Sequence, residues 1–277
     1  MSRASIANPD QSVRWNDRTG RTWAELGEML DRLLEPFVPL VLREIEPLEG
    51  RRILDVGCGA GALALAAAER GAEALGIDIS APLIEAARAR AERSGIGAEF
   101  VQADAQSHRF DPPAFDALVS RFGVMFFADP REAFRNLRSA VRPGGKLACL
   151  AWRGPDENGF MTAAERAAAD LLPRLPERVE NEPGQFGFAD SGHVRSILAQ
   201  AGWRDVAIRP ADVECSLPEK DLRVYIRRMG LVADQLPALD DSTRAEVERR
   251  IDSAFDPYLR NGEARFTAAC WLVTARA

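Results

Sequence analysis

The chain is short of the residues that usually mark a metal centre, a secreted scaffold or a nucleic-acid groove. It has only four cysteines, Cys58, Cys149, Cys215 and Cys270, with no Cys-x-x-Cys or Cys/His spacing among them. No zinc or other metal site is therefore expected. Cys149 and Cys270 fall in apolar strand-like runs, and the thiols read as reduced, as in a cytoplasmic protein. Lysine occurs only at Lys146 and Lys220, so nearly all positive charge is arginine, which fits codon bias in a GC-rich genome better than a function. The formal net charge of -6 disfavours duplex nucleic acid, whose affinity comes mainly from neutralised phosphates. No run approaches the 18 or so apolar residues of a membrane span, and the first residues lack a secretory apolar segment.

What is present is enough for a large core. Of 277 residues, 46% are hydrophobic and 28% charged, an ordinary globular balance, with disorder expected only in the first dozen residues. Thr22 and Glu25 read as a capping box opening a helical segment that Pro36 and Pro39 divide. From Arg51 onward, apolar strand runs alternate with helical patterns. Strands are expected at 51–56, 74–78, 99–102, 115–122 and 146–152, with helices between them opened by Ser80 and by Asp129-Pro130-Arg131-Glu132. Five such alternations predict a parallel, doubly wound Rossmann-like α/β sheet. Further strands are expected at 203–209 and 265–275, giving seven, the last of them antiparallel. Ser216 and Glu219 read as a second capping box opening a helical insertion. The expected organisation is an N-terminal helical entrance at 1–48; a core from 49–153, 191–210 and 263–277; and a cap from 154–190 and 211–262.

The first strand runs into Asp55-Val56-Gly57-Cys58-Gly59-Ala60-Gly61. Glycines at a strand-to-helix turn let the backbone bend sharply and touch a ligand directly. Such a ligand would lie at the carboxyl ends of strands one and four. The alternative is a turn that only packs helix on sheet. Asp78, ending strand two before Ile79, can accept hydrogen bonds from two ribose hydroxyls, or can simply favour the following helix N-terminus. The Gly-x-Gly-x-Gly spacing, and the absence of a Tyr-x-x-x-Lys pair with tyrosine only at Tyr225 and Tyr258, argue against an NAD(P) oxidoreductase.

Asp-x-Gly-x-Gly-x-Gly after a buried strand resembles the first motif of class I S-adenosylmethionine (SAM) dependent methyltransferases. The stretch from Ser120 through Arg121, Phe122 and Phe126 to Pro130, the run Glu157–Met161, the run Trp271–Arg276, and Trp15-Asn16 with Trp23 resemble a UbiE-like bacterial group acting on small molecules. The resemblance implies SAM as cofactor, with S-adenosylhomocysteine (SAH) as its product. It implies cofactor contacts from Asp55, Gly57, Cys58, Gly59, Gly61, Asp78, Ile79, Asp104, Ala105, Ser120, Arg121 and Phe122. Asp104 would face the adenine amino group, with Ala105 beside it. Trp15 and Trp23 would close over the cofactor or serve as plain core. The Asn/Asp-Pro-Pro-Tyr/Phe motif of amino methylation on DNA bases and glutamine is missing; Phe122-Gly123 stands near its place.

The expected chemistry is in-line methyl transfer to a small apolar or aromatic acceptor, with the oxygen, carbon or nitrogen target left open. The alternative is a fold that holds SAM without methyl transfer. Phe126, Phe160, Met161, Phe186 and Phe188 are expected around the acceptor, unless they are the cap's own packing. Arg121 can bind the SAM carboxylate, bind an anionic acceptor, or brace the N-terminal helices. His193 is the one weak candidate base, with a surface role as the alternative; His108 is a poorer one. Oligomeric state stays open, a homodimer being one option.

Overall fold

The computed structural model describes residues 7–110, 113–172, 175 and 177–277. Residues 1–6, part of the stretch expected to lack order, lie outside the described residues. The sheet is built from β1 (Arg52–Val56), β2 (Glu73–Asp78), β3 (Ala98–Gln102), β4 (Phe115–Arg121), β5 (Val141–Trp152), β6 (Arg204–Pro218), a two-residue β7 (Leu259–Arg260) and β8 (Glu263–Arg276). Its order is β3-β2-β1-β4-β5-β8-β6, with β7 paired only to β8. The five strands β1 to β5 pair in parallel, whereas β8 runs antiparallel to both β5 and β6. The seven-stranded, last-strand-antiparallel sheet expected from the sequence is therefore present, with β7 as a small addition. Central strands carry continuous apolar runs because helices cover both faces: Ile53, Leu54, Leu118 and Val119 are fully buried.

The chain leaves β1 toward β2 and β3 on one side and returns to β4 and β5 on the other. This reversal opens a crevice at the carboxyl ends of β1 and β4. Around the sheet lie α5 (Ala62–Ala68), α6 (Ala81–Ser94), α7 (Pro130–Ala140) and α9 (Ser191–Gln200). Their boundaries follow local chemistry. Ser80 Oγ accepts from the Leu83 N–H at the start of α6, and Gly95 ends that helix in the left-handed region. Asp129 Oδ1 accepts from the Glu132 N–H at 3.0 Å to open α7.

Two expected capping boxes do not form. Thr22 lies inside α2 (Arg18–Glu25), because the chain is already helical from α1 (Pro9–Asn16) onward. Ser216 lies in β6, where its hydroxyl meets Glu263 of β8 at 3.3 Å. Pairing with β8 carries β6 eight residues beyond Pro210, so the helical insertion begins at Glu219.

The roof over the crevice has two sources. The N-terminal part contributes α1, α2, α3 (Gly27–Leu34) and α4 (Val38–Glu44); the insertions contribute α8 (Gly159–Ala168), α10 (Glu219–Arg228), α11 (Gly230–Gln235) and α12 (Asp241–Phe255). Polar contacts join them: Arg18 donates to the Ala233 carbonyl at 3.0 Å, Arg32 pairs with Asp221 at 2.9 Å, and Arg228 pairs with Glu25. No helix among the described residues is long and apolar enough to cross a membrane.

Candidate active site

A cavity of about 320 Å³ lies beneath this roof, at the carboxyl ends of β1, β2 and β4. The turn after β1 brings Gly57, Cys58 and Gly59 to its wall, β2 ends there in Asp78 and Ile79, and the segment after β3 adds Asp104 and Ala105. The end of β4 adds Arg121 and Phe122, and the N-terminal helices add Trp15 and Trp23.

Close backbone approach shapes the floor. Gly57 has φ of +64°, and a Cβ there would sit 2.7 Å from the Gly123 Cα. Gly59, at φ +54°, has open space where a Cβ would be, so this part of the turn faces the cavity bare. Phe122 holds φ of +64° without being glycine, a costly conformation of the kind that gathers at functional sites. Its ring is fixed by stacking on Trp152 at 3.7 Å and by an edge contact with Phe37 at 5.0 Å.

Two carboxylates dominate the electrostatics. Asp55 is buried at the end of β1; its Oδ2 accepts from the Ala64 N–H at 3.1 Å, while its Oδ1 is buried without a partner. Burial pushes the Asp55 carboxyl up to about 7, against the pull of Arg121 and the Ala64 N–H, with Asp78 pushing the same way as burial. Asp78 is also raised by burial, opposed by the N–H groups of Ser80 and Gly59, each 2.9 Å from one of its oxygens. An unpartnered buried oxygen in a cavity wall suits a cationic donor, and the glycine turn leaves room for backbone contact. These features fit the ammonium and adenosyl parts of the cofactor that the sequence implies.

Arg121 donates to the Leu34 carbonyl at 3.0 Å and lies 4.0 Å from Asp31, which pairs with Arg90 at 2.6 Å. Of the three roles open to Arg121, the contacts formed are those of a brace between β4 and α3. Asp104 is likewise engaged. Its carboxylate accepts from the N–H groups of Ala7, Asn8 and Gln106 and from the Asn8 side chain, at 2.7–3.0 Å. Asn8 also accepts from the Ala128 N–H, and Asn16 holds Ile79 and Ala81, so the N-terminal segment is docked along this edge.

Several expected site residues do not line the cavity. A Cβ on Gly61 would meet Phe100, so this glycine packs helix against sheet. Ser120 is fully buried; its hydroxyl donates to the Val56 carbonyl at 2.6 Å and accepts from Gly123, clamping the two loops together. Phe188 stacks on Phe134 in the core, and Phe186 packs under Arg178. His193 lies in a separate groove with Pro130 and Gln200, and His108 packs edge-on against Phe110. Phe126, Phe160 and Met161 do line the cavity. Sequence reasoning missed Asn8, Asp31, Trp152 and Tyr225, which reach the wall from elements distant in the chain. Among the described residues, no group of three His, Cys, Asp or Glu side chains could hold a metal ion.

The family model described as "Methyltransferase domain" matches residues 54–149. A demethylmenaquinone methyltransferase of Thermus thermophilus is 40% identical over 163 residues, covering 55% of this chain and 74% of that protein. An uncharacterized protein of Mycobacterium tuberculosis is 30% identical over 172 residues, 60% of this chain and 63% of the relative, so the match spans less than two thirds of that relative's length. The crystal structure of YcgJ from Bacillus subtilis superimposes with a TM-score of 0.57 at 18% identity, covering 86% of this chain and 97% of that one; at that identity it speaks for the fold alone. With the glycine turn, the two strand-end carboxylates and the sheet order in place, the chain belongs to the UbiE-like class I SAM-dependent methyltransferases.

Proposed function

We propose that this chain transfers a methyl group from SAM to a small apolar or aromatic acceptor by in-line displacement. The observation that carries this reading is the unpartnered Asp55 Oδ1 in the wall of a cavity that continues from the acidic strand ends into an apolar chamber. The Thermus relative named for a quinone methyltransferase supports an acceptor of this kind. When bound, SAM supplies a methyl already electrophilic on a sulfonium.

The protein's task is then alignment and exclusion of water. Asp55 Oδ1 would hold the ammonium of the methionine part, and Gly57 and Gly59 would receive that part along the backbone. Asp78 would accept from the ribose hydroxyls. Ile79 and Ala105 would flank the adenine, with Asp104 fixing the N-terminal segment at that edge. Trp15, Trp23 and Phe126, whose rings meet edge to face at 5.5–5.8 Å, would close the entrance. Near-attack alignment of this kind supplies on the order of 7–11 kcal/mol of barrier lowering, and a dry, low-dielectric chamber favours the charge-dispersing step.

Calorimetric titration should show SAH binding to the wild type and its loss in Asp78→Ala and Gly59→Val. Unchanged affinity in both would refute the cofactor assignment. Incubation with methyl-labelled SAM and a panel of apolar phenols and amines, with cell extract as a further source, then separates methyl transfer from mere binding. Tight SAH binding with no labelled product would favour the non-methylating alternative.

A further inference from the structure

The part of the cavity walled by α8, α10, α11, α12 and β8 is mostly apolar, with Phe160, Met161, Ile226, Met229, Phe255 and Phe266 among its residues. Its charged groups are already paired. Glu165 is held by Arg178 at 2.6 Å, Arg228 by Glu25, and Asp234 by Arg18 at 3.6 Å. Gln185 donates to the Met161 sulfur at 3.2 Å. An ion entering here would meet no free countercharge, and an unpaired buried ion is strongly disfavoured.

One strong hydrogen-bonding group is left over. Tyr225, on α10, lines the chamber with its ring 5.8 Å from that of Phe160, and among the described residues its hydroxyl makes no hydrogen bond and is not sealed in the protein interior. A phenol donates as well as accepts. Burial, with Glu165 adding to it, pushes this phenol up to about 12, so it keeps its proton at any physiological pH. It is therefore a donor, not a general base.

We propose that Tyr225 is the specificity-determining residue of the chamber: its hydroxyl donates to an oxygen of an uncharged, otherwise apolar ring compound. The molecule taken there carries a carbonyl or hydroxyl oxygen; it is neither a plain hydrocarbon nor an ion. The proposal rests on the methyl-transfer reading only in naming this molecule the acceptor.

The test uses two probes of matched shape, 1-acetylnaphthalene and 1-ethylnaphthalene, titrated against the full chain with and without SAH. A hydrogen bond to one neutral donor corresponds to a preference of about five- to tenfold for the ketone. Tyr225→Phe should bring that ratio to about one while leaving SAH affinity and thermal melting close to wild type. A wild-type ratio near one, a preference that survives in Tyr225→Phe, or failure of both probes to bind would each overturn the proposal. Because the wild-type ratio is informative alone, a poorly folding variant would not shield it. A chain that discriminates the probes but binds no SAH would sink the methyl-transfer reading and leave the Tyr225 assignment standing.

Discussion

If Asp55 holds the cofactor's ammonium as proposed, its buried carboxyl should make cofactor affinity depend on pH in a direction fixed by its surroundings. In the unliganded chain burial raises this group to about 7. An ammonium group on the ligand favours the carboxylate, so below that value binding must first expel a proton. The ligand amine stays mostly protonated across the window from pH 5.5 to 7.5, so the carboxyl dominates the slope. If only the carboxylate form binds, affinity falls roughly 25-fold between pH 7.5 and 5.5, equivalent to about 2 kcal/mol. Calorimetry of SAH binding at pH 6 in two buffers of different ionisation enthalpy should report release of close to one proton.

Asp55→Asn should bind SAH weakly and lose most of the pH slope; what remains would belong to Asp78, which burial raises in the same direction. Folding stability moves oppositely. An acid whose folded pKa exceeds its unfolded 3.8 holds its proton better when folded, so its contribution declines as pH rises from about 4 to about 7. Apo Asp55→Asn should therefore melt higher than apo wild type at pH 8, a stability gain at a functional site paired with a loss of binding. Affinity that is flat from pH 5.5 to 7.5, or an unchanged slope in Asp55→Asn, would refute the reasoning.

Two other expectations follow from the same floor and its surroundings. Gly57→Ala forces a Cβ to within 2.7 Å of the Gly123 backbone at a φ of +64°, and should lower the stability of the chain by about 1–3 kcal/mol in denaturant melts. His193→Ala should leave turnover within about tenfold of wild type, since a general base contributes roughly 10²–10⁴ and this imidazole lies in a groove apart from the cavity; a larger loss with normal SAH binding would contradict its placement.

What the sequence could show was set by the range of the interactions involved. The glycine turn, Asp78 and the helix caps at Ser80 and Asp129 are local events, written within a few residues, and they are legible for that reason. Central strands are legible because burial on both faces demands continuous apolar runs. The outer half of the sheet is different. From Pro210 to Pro218, β6 mixes proline, acids and alternating burial, because it is an edge strand held by β8 rather than by its own composition. That pairing, invisible locally, is what turns the Ser-x-x-Glu pattern at Ser216 from a helix cap into a cross-strand contact with Glu263.

The same distinction divides the site. The aromatic residues expected around the acceptor looked equivalent in sequence, yet Phe188 is drawn into the core by Phe134 of α7, while Phe160 is turned to the cavity by a stack on Phe266 of β8, 106 positions away. Asp31, Trp152 and Tyr225 carry no local signature at all; each reaches the cavity wall only because the fold brings its element to the crevice. A motif-based reading therefore recovers the half of the cavity formed by the strand-end turns. The half formed by the roof, where we place acceptor choice, follows from tertiary packing, and it is there that substitutions such as Tyr225→Phe should alter which molecule is accepted without disturbing how the cofactor is held.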